Sequence, residues 1–344
     1  MNKIKFGLIS ASGMAQSHMA AIRDNKNTEL IAICDIDEAK ARSAADIFHV
    51  DKVYTDYQEL LSNAGVDAVV IVTPDQTHRE IAIAALDAGK HVLCEKPLAL
   101  TREDCNAMIK AAASHTELKF MVGQICRFTP GFKAAYDLIR AGEIGELFYV
   151  ESEYAHDYDE IFKHGSEWRK DPKRHGFLGG ACHAVDLLRW IAGDPVEVMA
   201  YGNRKMLTYL PTEDCVISIM KFPNEVVGKV FCSIGCKRDY TMRSVFYGSK
   251  GTIIADNTNP QITVYKSEDS IDSLYKNKNR QTMPVLYPVN LASHNTYGEM
   301  TVFAEAIITN GKIPTDAIEG SKTVEVCLSV IESIKTGNPV KLTY

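Results

Sequence analysis

The chain has 344 residues, 46% hydrophobic and 24% charged, with a formal net charge of −6. That length suits two domains rather than one, the composition is that of a globular protein, and the acidic balance argues against nucleic acid or an anionic membrane as the main partner. No apolar run approaches the roughly 20 residues of a membrane span; the stretch at 4–9 is too short for a signal core; and nine scattered cysteines with no C-x-x-C pair read as reduced thiols in a cytoplasmic protein.

From the N-terminus, short apolar runs alternate with segments of helical period. Strands are predicted at 4–9, 30–34, 67–72, 91–94 and 119–122, and helices at 14–24, 38–48, 79–88 and 102–114. Such alternation implies an α/β domain whose parallel sheet is covered on both faces, and right-handed crossovers make it doubly wound. After Gln124 the pattern changes. A helix at 130–141 is followed by a strand-rich stretch at 147–154, 196–201, 215–221, 226–232, 243–247, 252–255 and 262–265, interrupted by one helix at 183–192. Two helices close the chain at 297–309 and 317–335. Strands with few intervening helices imply an α+β domain on an open, mostly antiparallel sheet. The expected division is therefore 1–123 and 124–344, with 267–280, rich in Lys, Asn, Asp and Ser, as an exposed loop.

Chemically capable residues gather at predicted strand ends, where open parallel sheets bind ligands. The first strand runs into Ser10-Ala-Ser12-Gly13-Met14-Ala15. A dinucleotide fingerprint needs G-x-G-x-x-G/A here, so that the chain turns tightly, approaches a pyrophosphate and packs helix on strand. Ser10, Ser12 and Ala15 are small, but the first two glycines are absent. Asp35 ends the second strand, placed to hold adenosine ribose hydroxyls. Asp37 adds negative charge with no arginine immediately after it, which favours NAD over NADP. Thr73, Pro74, Thr77 and His78 follow the strand at 67–72, and Glu95, Lys96 and Pro97 follow that at 91–94. With Ser10, Ser12, Gly13, Met14 and Asp35, the residues Thr73, Pro74, His78, Glu95 and Lys96 make the candidate cofactor site. No metal site is expected.

These motifs, in one frame with Arg127-Phe128-Thr-Pro130, Trp168-Arg169-Lys-Asp-Pro172 and Gly180-Ala-Cys-His183-Ala-Val-Asp186-Leu-Leu-Arg-Trp190, resemble the Gfo/Idh/MocA family over nearly the whole chain. The resemblance implies an N-terminal Rossmann domain and a C-terminal domain with an open antiparallel sheet through which members commonly oligomerise, here as a homodimer or homotetramer. It also implies a nicotinamide cofactor used to oxidise or reduce a hydroxyl-bearing carbon of a sugar, polyol or related substrate.

Hydride transfer from a carbinol needs a nicotinamide beside the C–H, a base for the O–H and a positive group near the developing alkoxide. Lys96 is the candidate cation, with Pro97 fixing its turn through a cis bond and Glu95 anchoring it. His183, at a predicted helix start, is the candidate acid/base, biased toward its neutral form, and Asp186, three residues on, could orient it. The family's dehydrogenases commonly place an aspartate four residues before this histidine; here Gly179 stands there, and Asp157 is one possible substitute. Arg127, Tyr154, His156 and Asp157 follow predicted strand ends and are read, with Lys96 and His183, as substrate contacts. Lys163, Arg169, Lys170, Lys173 and Arg174 could favour an acidic or phosphorylated substrate, but read first as a solvated loop. His294 is a further candidate, and Asn295 a helix cap. Two other functions fit the same residues: an NAD-dependent hydrolase or lyase that oxidises its substrate transiently, and a non-catalytic dinucleotide or sugar sensor.

Overall fold

The computed structural model describes residues 3–163, 165–266, 284–291 and 294–344. The chain forms two compact units, Met1–Ile125 with Asn295–Val324, and Cys126–His294 with Glu325–Tyr344. No helix among the described residues is long and apolar enough to cross a membrane. The loop expected over 267–280 lies outside the described residues.

The first unit alternates strand and helix: β1 (Ile4–Ile9), α1 (Ala15–Asp24), β2 (Thr28–Cys34), α2 (Glu38–Phe48), β3 (Lys52–Tyr54), α3 (Tyr57–Asn63), β4 (Ala68–Ile71), α4 (His78–Asp87), β5 (His91–Cys94), α5 (Arg102–Ser114) and β6 (Phe120–Val122). All six strands are parallel, in the order β3-β2-β1-β4-β5-β6. The order reverses between β1 and β4, so the ligand crevice of this Rossmann sheet lies at the carboxyl ends of those strands. The middle strands are apolar because both faces are covered; every residue of β4 is buried. Asp37 caps α2 through the Ala39 and Lys40 amides, and Thr101 caps α5 through the Asp104 amide.

The C-terminal boundary differs from the expected one. Asn295–Val324, assigned from sequence to the second domain, packs with the first unit. The Thr296 hydroxyl of α9 (Thr296–Thr309) donates to the Ser17 carbonyl at 3.2 Å. Phe303 meets Phe6 of β1 edge-on at 6.1 Å, and the Thr315 hydroxyl donates to the Val122 carbonyl at 2.8 Å. Apolar packing with these polar ties brings a helix far away in sequence back onto the parallel sheet.

The second unit holds α6 (Pro130–Arg140), β7 (Leu147–Ala155), α7 (Tyr158–Lys163), a π-helical turn (Phe177–Ala181), α8 (Cys182–Ala192), β8 (Glu197–Asn203), β9 (Cys215–Lys221), β10 (Val227–Ser233), β11 (Thr241–Gly248), β12 (Gly251–Asp256), β13 (Gln261–Lys266), β14 (Val285–Pro288) and β15 (Val340–Lys341). Its nine-stranded sheet is ordered β14-β13-β12-β11-β7-β10-β9-β8-β15. β7 and β10 run parallel and the other described pairs antiparallel. β9 shows the alternation of a half-covered sheet: Val216, Ser218 and Met220 are buried, while Ile217 and Ile219 face outward.

Candidate active site

In the first unit the chain leaves β1 with φ of 92° at Ser10 and 56° at Gly13, two left-handed residues in one turn. Ser10 takes the conformation for which glycine is usually chosen, and its amide donates to the Cys34 carbonyl at 2.7 Å. Ala15 is fully buried where α1 meets the sheet. Ser12 and Gly13 are exposed and Met14 half-exposed, just before the first turn of α1. A Cβ at Gly13 would meet nothing within 4 Å, so a diphosphate has room to approach this backbone and the helix N-terminus behind it. Asp35 closes the turn from β2: one oxygen accepts from the Ala11 amide at 2.8 Å, the other from the Asp37 amide at 2.9 Å. Because Asp37 is the α2 cap, Asp35 is left at the strand end. A groove of about 290 Å³ lined by Ala11, Gln16, Lys40, Ser43 and Ile47 opens alongside. This open turn with a carboxylate at its β2 edge fits the diphosphate and ribose of a dinucleotide.

Two strand-end loops of the same unit are fastened by histidines. His78, fully buried, has Nδ1 2.9 Å from the Pro97 carbonyl and Nε2 3.1 Å from the Thr73 carbonyl. Carbonyls only accept, so both ring nitrogens donate and the imidazole carries a proton on each. Burial opposes that charge, but the Cys94 side chain, Asp75 and the Pro97 carbonyl outweigh it and raise His78 from 6.5 to about 10. The Thr77 hydroxyl donates to Thr73 Oγ1 at 2.8 Å. His18 of α1 places Nε2 2.8 Å from Glu95 Oε1, while Glu95 Oε2 accepts from the Lys96 amide at 3.1 Å. Burial would raise Glu95, yet His18 and the Lys96 charge outweigh it and hold the carboxyl at about 2. Lys96, half-buried, precedes a cis peptide bond to Pro97.

In the second unit, His183 is the second residue of α8 and is 3% exposed. Its ring stacks near Tyr154 at 6.3 Å and 24° and lies 6.0 Å from His294. Tyr154 Oη is 3.3 Å from His156 Nδ1 and 3.4 Å from Tyr158 Oη, and Tyr240 packs on Tyr154, His156 and His294. Burial raises Tyr154 and Tyr240 well above the usual phenol value, so both are neutral hydrogen-bonding groups.

Arg127 and Asp186 form a buried, two-pronged ion pair, with Nε and Nη2 donating at 2.8 and 2.7 Å. Both Asp186 oxygens therefore accept from Arg127, and Arg189 approaches one of them at 3.7 Å. Asp157 pairs with Lys237 at 3.2 Å.

The segment read as a solvated loop divides in two. Lys163 and Lys170 pair with Glu160 and Glu167 near the surface, and Lys173 is exposed. Arg174 is 2% exposed, with its guanidinium 4.9 Å from the Trp168 ring; Arg169 lies 4.4 Å from the same ring. A Cβ at Gly179 would fall 2.3–2.4 Å from the guanidinium carbon and both terminal nitrogens of Arg174. Any side chain at 179 would collide with that cation.

Residues 4–124 match a family model described as an oxidoreductase family with an NAD-binding Rossmann fold, and 132–254 match the GFO/IDH/MocA C-terminal domain. The chain belongs to the Gfo/Idh/MocA family. It is an NAD-binding oxidoreductase of that family. An uncharacterized oxidoreductase of Bacillus subtilis is 26% identical over 350 residues, covering 99% of this chain and 97% of the relative. An inositol 2-dehydrogenase of Salmonella typhimurium is 25% identical over 251 residues, 72% of each chain. A levoglucosan dehydrogenase in complex with NADH superposes with a TM-score of 0.89 at 24% identity, covering 99% of this chain and all of that one.

Gly179 stands four residues before His183, and the Arg174 guanidinium lies where a side chain at 179 would project. Sequence reading missed Tyr158, the first residue of α7, and Tyr240, the residue before β11; for Tyr158 the signal was its place beside the His156–Asp157 pair already singled out, and for Tyr240 nothing in the sequence marked it. It misjudged Arg174, because cations clustered in a loop look alike until burial separates them.

Proposed function

We propose that this protein is an NAD-dependent dehydrogenase that moves a hydride between a nicotinamide and a hydroxyl-bearing carbon of a sugar, polyol or related substrate. The observation that carries this reading is Lys96, held by the His18–Glu95 pair and the His78 clamp at the ligand edge of an NAD-binding sheet. The relatives named inositol 2-dehydrogenase and levoglucosan dehydrogenase support the substrate class.

When bound, NAD supplies the hydride acceptor. The backbone of Ser12, Gly13 and Met14 receives the diphosphate, with Ser10 shaping the turn. Asp35 accepts hydrogen bonds from ribose hydroxyls and repels a 2′-phosphate, which favours NAD over NADP. Thr73 and Pro74 line the cofactor edge, His78 positions them against the Pro97 loop, and Glu95 anchors Lys96. Lys96 donates to the substrate oxygen and stabilises negative charge as its proton leaves. His183 takes that proton in oxidation and returns it in reduction. His156 and Tyr154 orient substrate hydroxyls beside it, Arg127 supports the site through Asp186, and Asp157 sits at its edge with Lys237.

Lys96→Met tests the reading. With NAD and a panel containing inositols, levoglucosan and alditols, turnover falls by at least about a hundredfold, the scale of losing a stabilising donor. NADH binding followed by fluorescence stays within about twofold, since the diphosphate and ribose contacts remain. Undiminished turnover in the variant overturns the assignment.

A further inference from the structure

One face of α9 is buried, with Thr296, Glu299, Met300, Phe303 and Ala304 at helical spacing. Its contacts show what covers that face. Thr296 ties to Ser17 of α1, Phe303 meets Phe6 of β1, and Asn25, just past α1, donates to the Thr301 hydroxyl at 3.0 Å. Glu299 lies one turn past Thr296 on the same side of the helix. It therefore enters the core of the first unit on the face that α1 and β1 cover.

A carboxyl group gains nothing from being charged there. Glu299 and His18 are both fully buried. Neither Glu299 oxygen has a hydrogen-bond partner among the described residues, and neither has His18 Nδ1. Burial without a donor disfavours the carboxylate, and the charge of Glu95 at the end of β5 adds to this. The other ionisable groups of the covering elements do not offset it. Arg23 and Asp24 of α1 pair with each other near the surface at 2.7 Å, and Lys5 of β1 and Glu305 of α9 are exposed. Half-buried Lys96 acts on Glu95 instead. Glu299 is therefore a neutral acid.

His18 serves one carboxylate. Its Nε2 is 2.8 Å from Glu95 Oε1, and the other Glu95 oxygen accepts from the Lys96 amide at 3.1 Å. One imidazole and one negative charge thus hold the turn on which Lys96 sits. A second carboxylate in the same dry interior would repel Glu95 and compete with it for His18.

We infer that Glu299 is a positioning residue for Lys96: by holding its proton it leaves His18 to Glu95 alone, and releasing that proton to solvent at alkaline pH loosens the Glu95–Lys96 turn. The effect on turnover rests on the dehydrogenase reading of Lys96; the hold on the turn does not.

Amide hydrogen exchange of the full chain tests it, read over residues 95–98 in wild type and Glu299→Gln and corrected for the intrinsic change of exchange rate with pH. Between pH 6 and pH 9 the wild-type protection is expected to fall about tenfold, the scale of losing one hydrogen bond. In the variant it changes by less than about twofold. His78, which clamps the same turn, holds its proton to about 10 and is common to both proteins. The ratio of turnover at pH 9 to turnover at pH 6 is expected to be at least about threefold higher in the variant. Equal pH dependence of exchange in the two proteins overturns the inference, as does a turnover ratio that the substitution leaves unchanged. If Glu299→Gln does not fold, Glu299→Met, of similar length and uncharged at every pH, takes its place. An exchange difference that depends on Glu299, in a protein that reduces NAD with none of the panel compounds, would sink the dehydrogenase reading and leave this one standing.

Discussion

At Ser10 a side chain occupies backbone space that glycine normally fills. Its φ of 92° places it in the left-handed region, where a non-glycine residue is strained by roughly 1–2 kcal/mol. Part of that is offset because serine loses less chain entropy on folding than glycine. Ser10→Gly is therefore expected to stabilise the protein by up to about 1 kcal/mol and to leave NADH binding intact. Gly13 is the internal control. Its φ is 56° and a Cβ there meets nothing within 4 Å, so Gly13→Ala suffers only the backbone penalty and loses about 1 kcal/mol. Urea denaturation of the two variants should move the midpoint in opposite directions; shifts of the same sign would show that the turn is not strained as its dihedral implies. The same residues explain why the missing glycines leave the turn intact: it keeps its shape with serine, and the Asp35 carboxylate reinforces it through the Ala11 amide.

Between elements, the return of α9 to the first unit brings a buried acid with it. Glu299 is fully buried on α9, and neither carboxyl oxygen has a hydrogen-bond partner among the described residues. Burial, then the charge of Glu95, pushes its carboxyl well above the ordinary 4.5. A folded value above the unfolded one means that the folded state holds a proton the unfolded chain gives up. Stability from this group is present in full below pH 4.5 and is lost as pH rises from there through the raised folded value. Glu299→Gln removes the titration. The melting temperature of the variant minus that of the wild type should be more positive at pH 8 than at pH 5, and a difference that does not change with pH would refute the buried, protonated acid. Neither α9's location nor this acid could be read from sequence. Periodicity identifies a helix and its apolar face but not which sheet that face meets. For the same reason β1, α2, β5 and α5 were legible, with strong runs and caps, whereas β3 and α3 were not: Lys-Val-Tyr is too short and half-exposed, and α3 buries only Leu60 and Leu61.

For the whole molecule, the proposed chemistry leaves the open face of the nine-stranded sheet unused. Tyr201 of β8 lies directly across from Ile217 of β9 and Ile217 from Phe231 of β10, while the next row runs from Met199 through Ile219 and Lys229 to Glu151. Tyr201, Ile217, Ile219 and Phe148 are all exposed, Tyr201 by 68%. The charges within the rows are already paired, Lys229 with Glu151 at 2.8 Å and Arg238 with Glu153 at 3.2 Å, so the apolar side chains are not set apart by unpaired charge. Soluble monomers seldom leave contiguous apolar patches of more than a few hundred Å² in water, and a self-complementary sheet face suits a twofold interface. The expected species is a homodimer or homotetramer assembled through this face. Light scattering on the eluting protein at micromolar concentration checks it: the wild type should run as an oligomer and Ile217→Glu with Ile219→Glu as a monomer, because burying two unpaired carboxylates in the interface is unfavourable by several kcal/mol. NADH titration of the same variant separates assembly from folding. Both substitutions lie on exposed positions far in sequence from the Ser10–Met14 turn, so cofactor affinity should persist in the monomer. A wild-type monomer, or a double variant that stays oligomeric, would assign the exposed rows some other role.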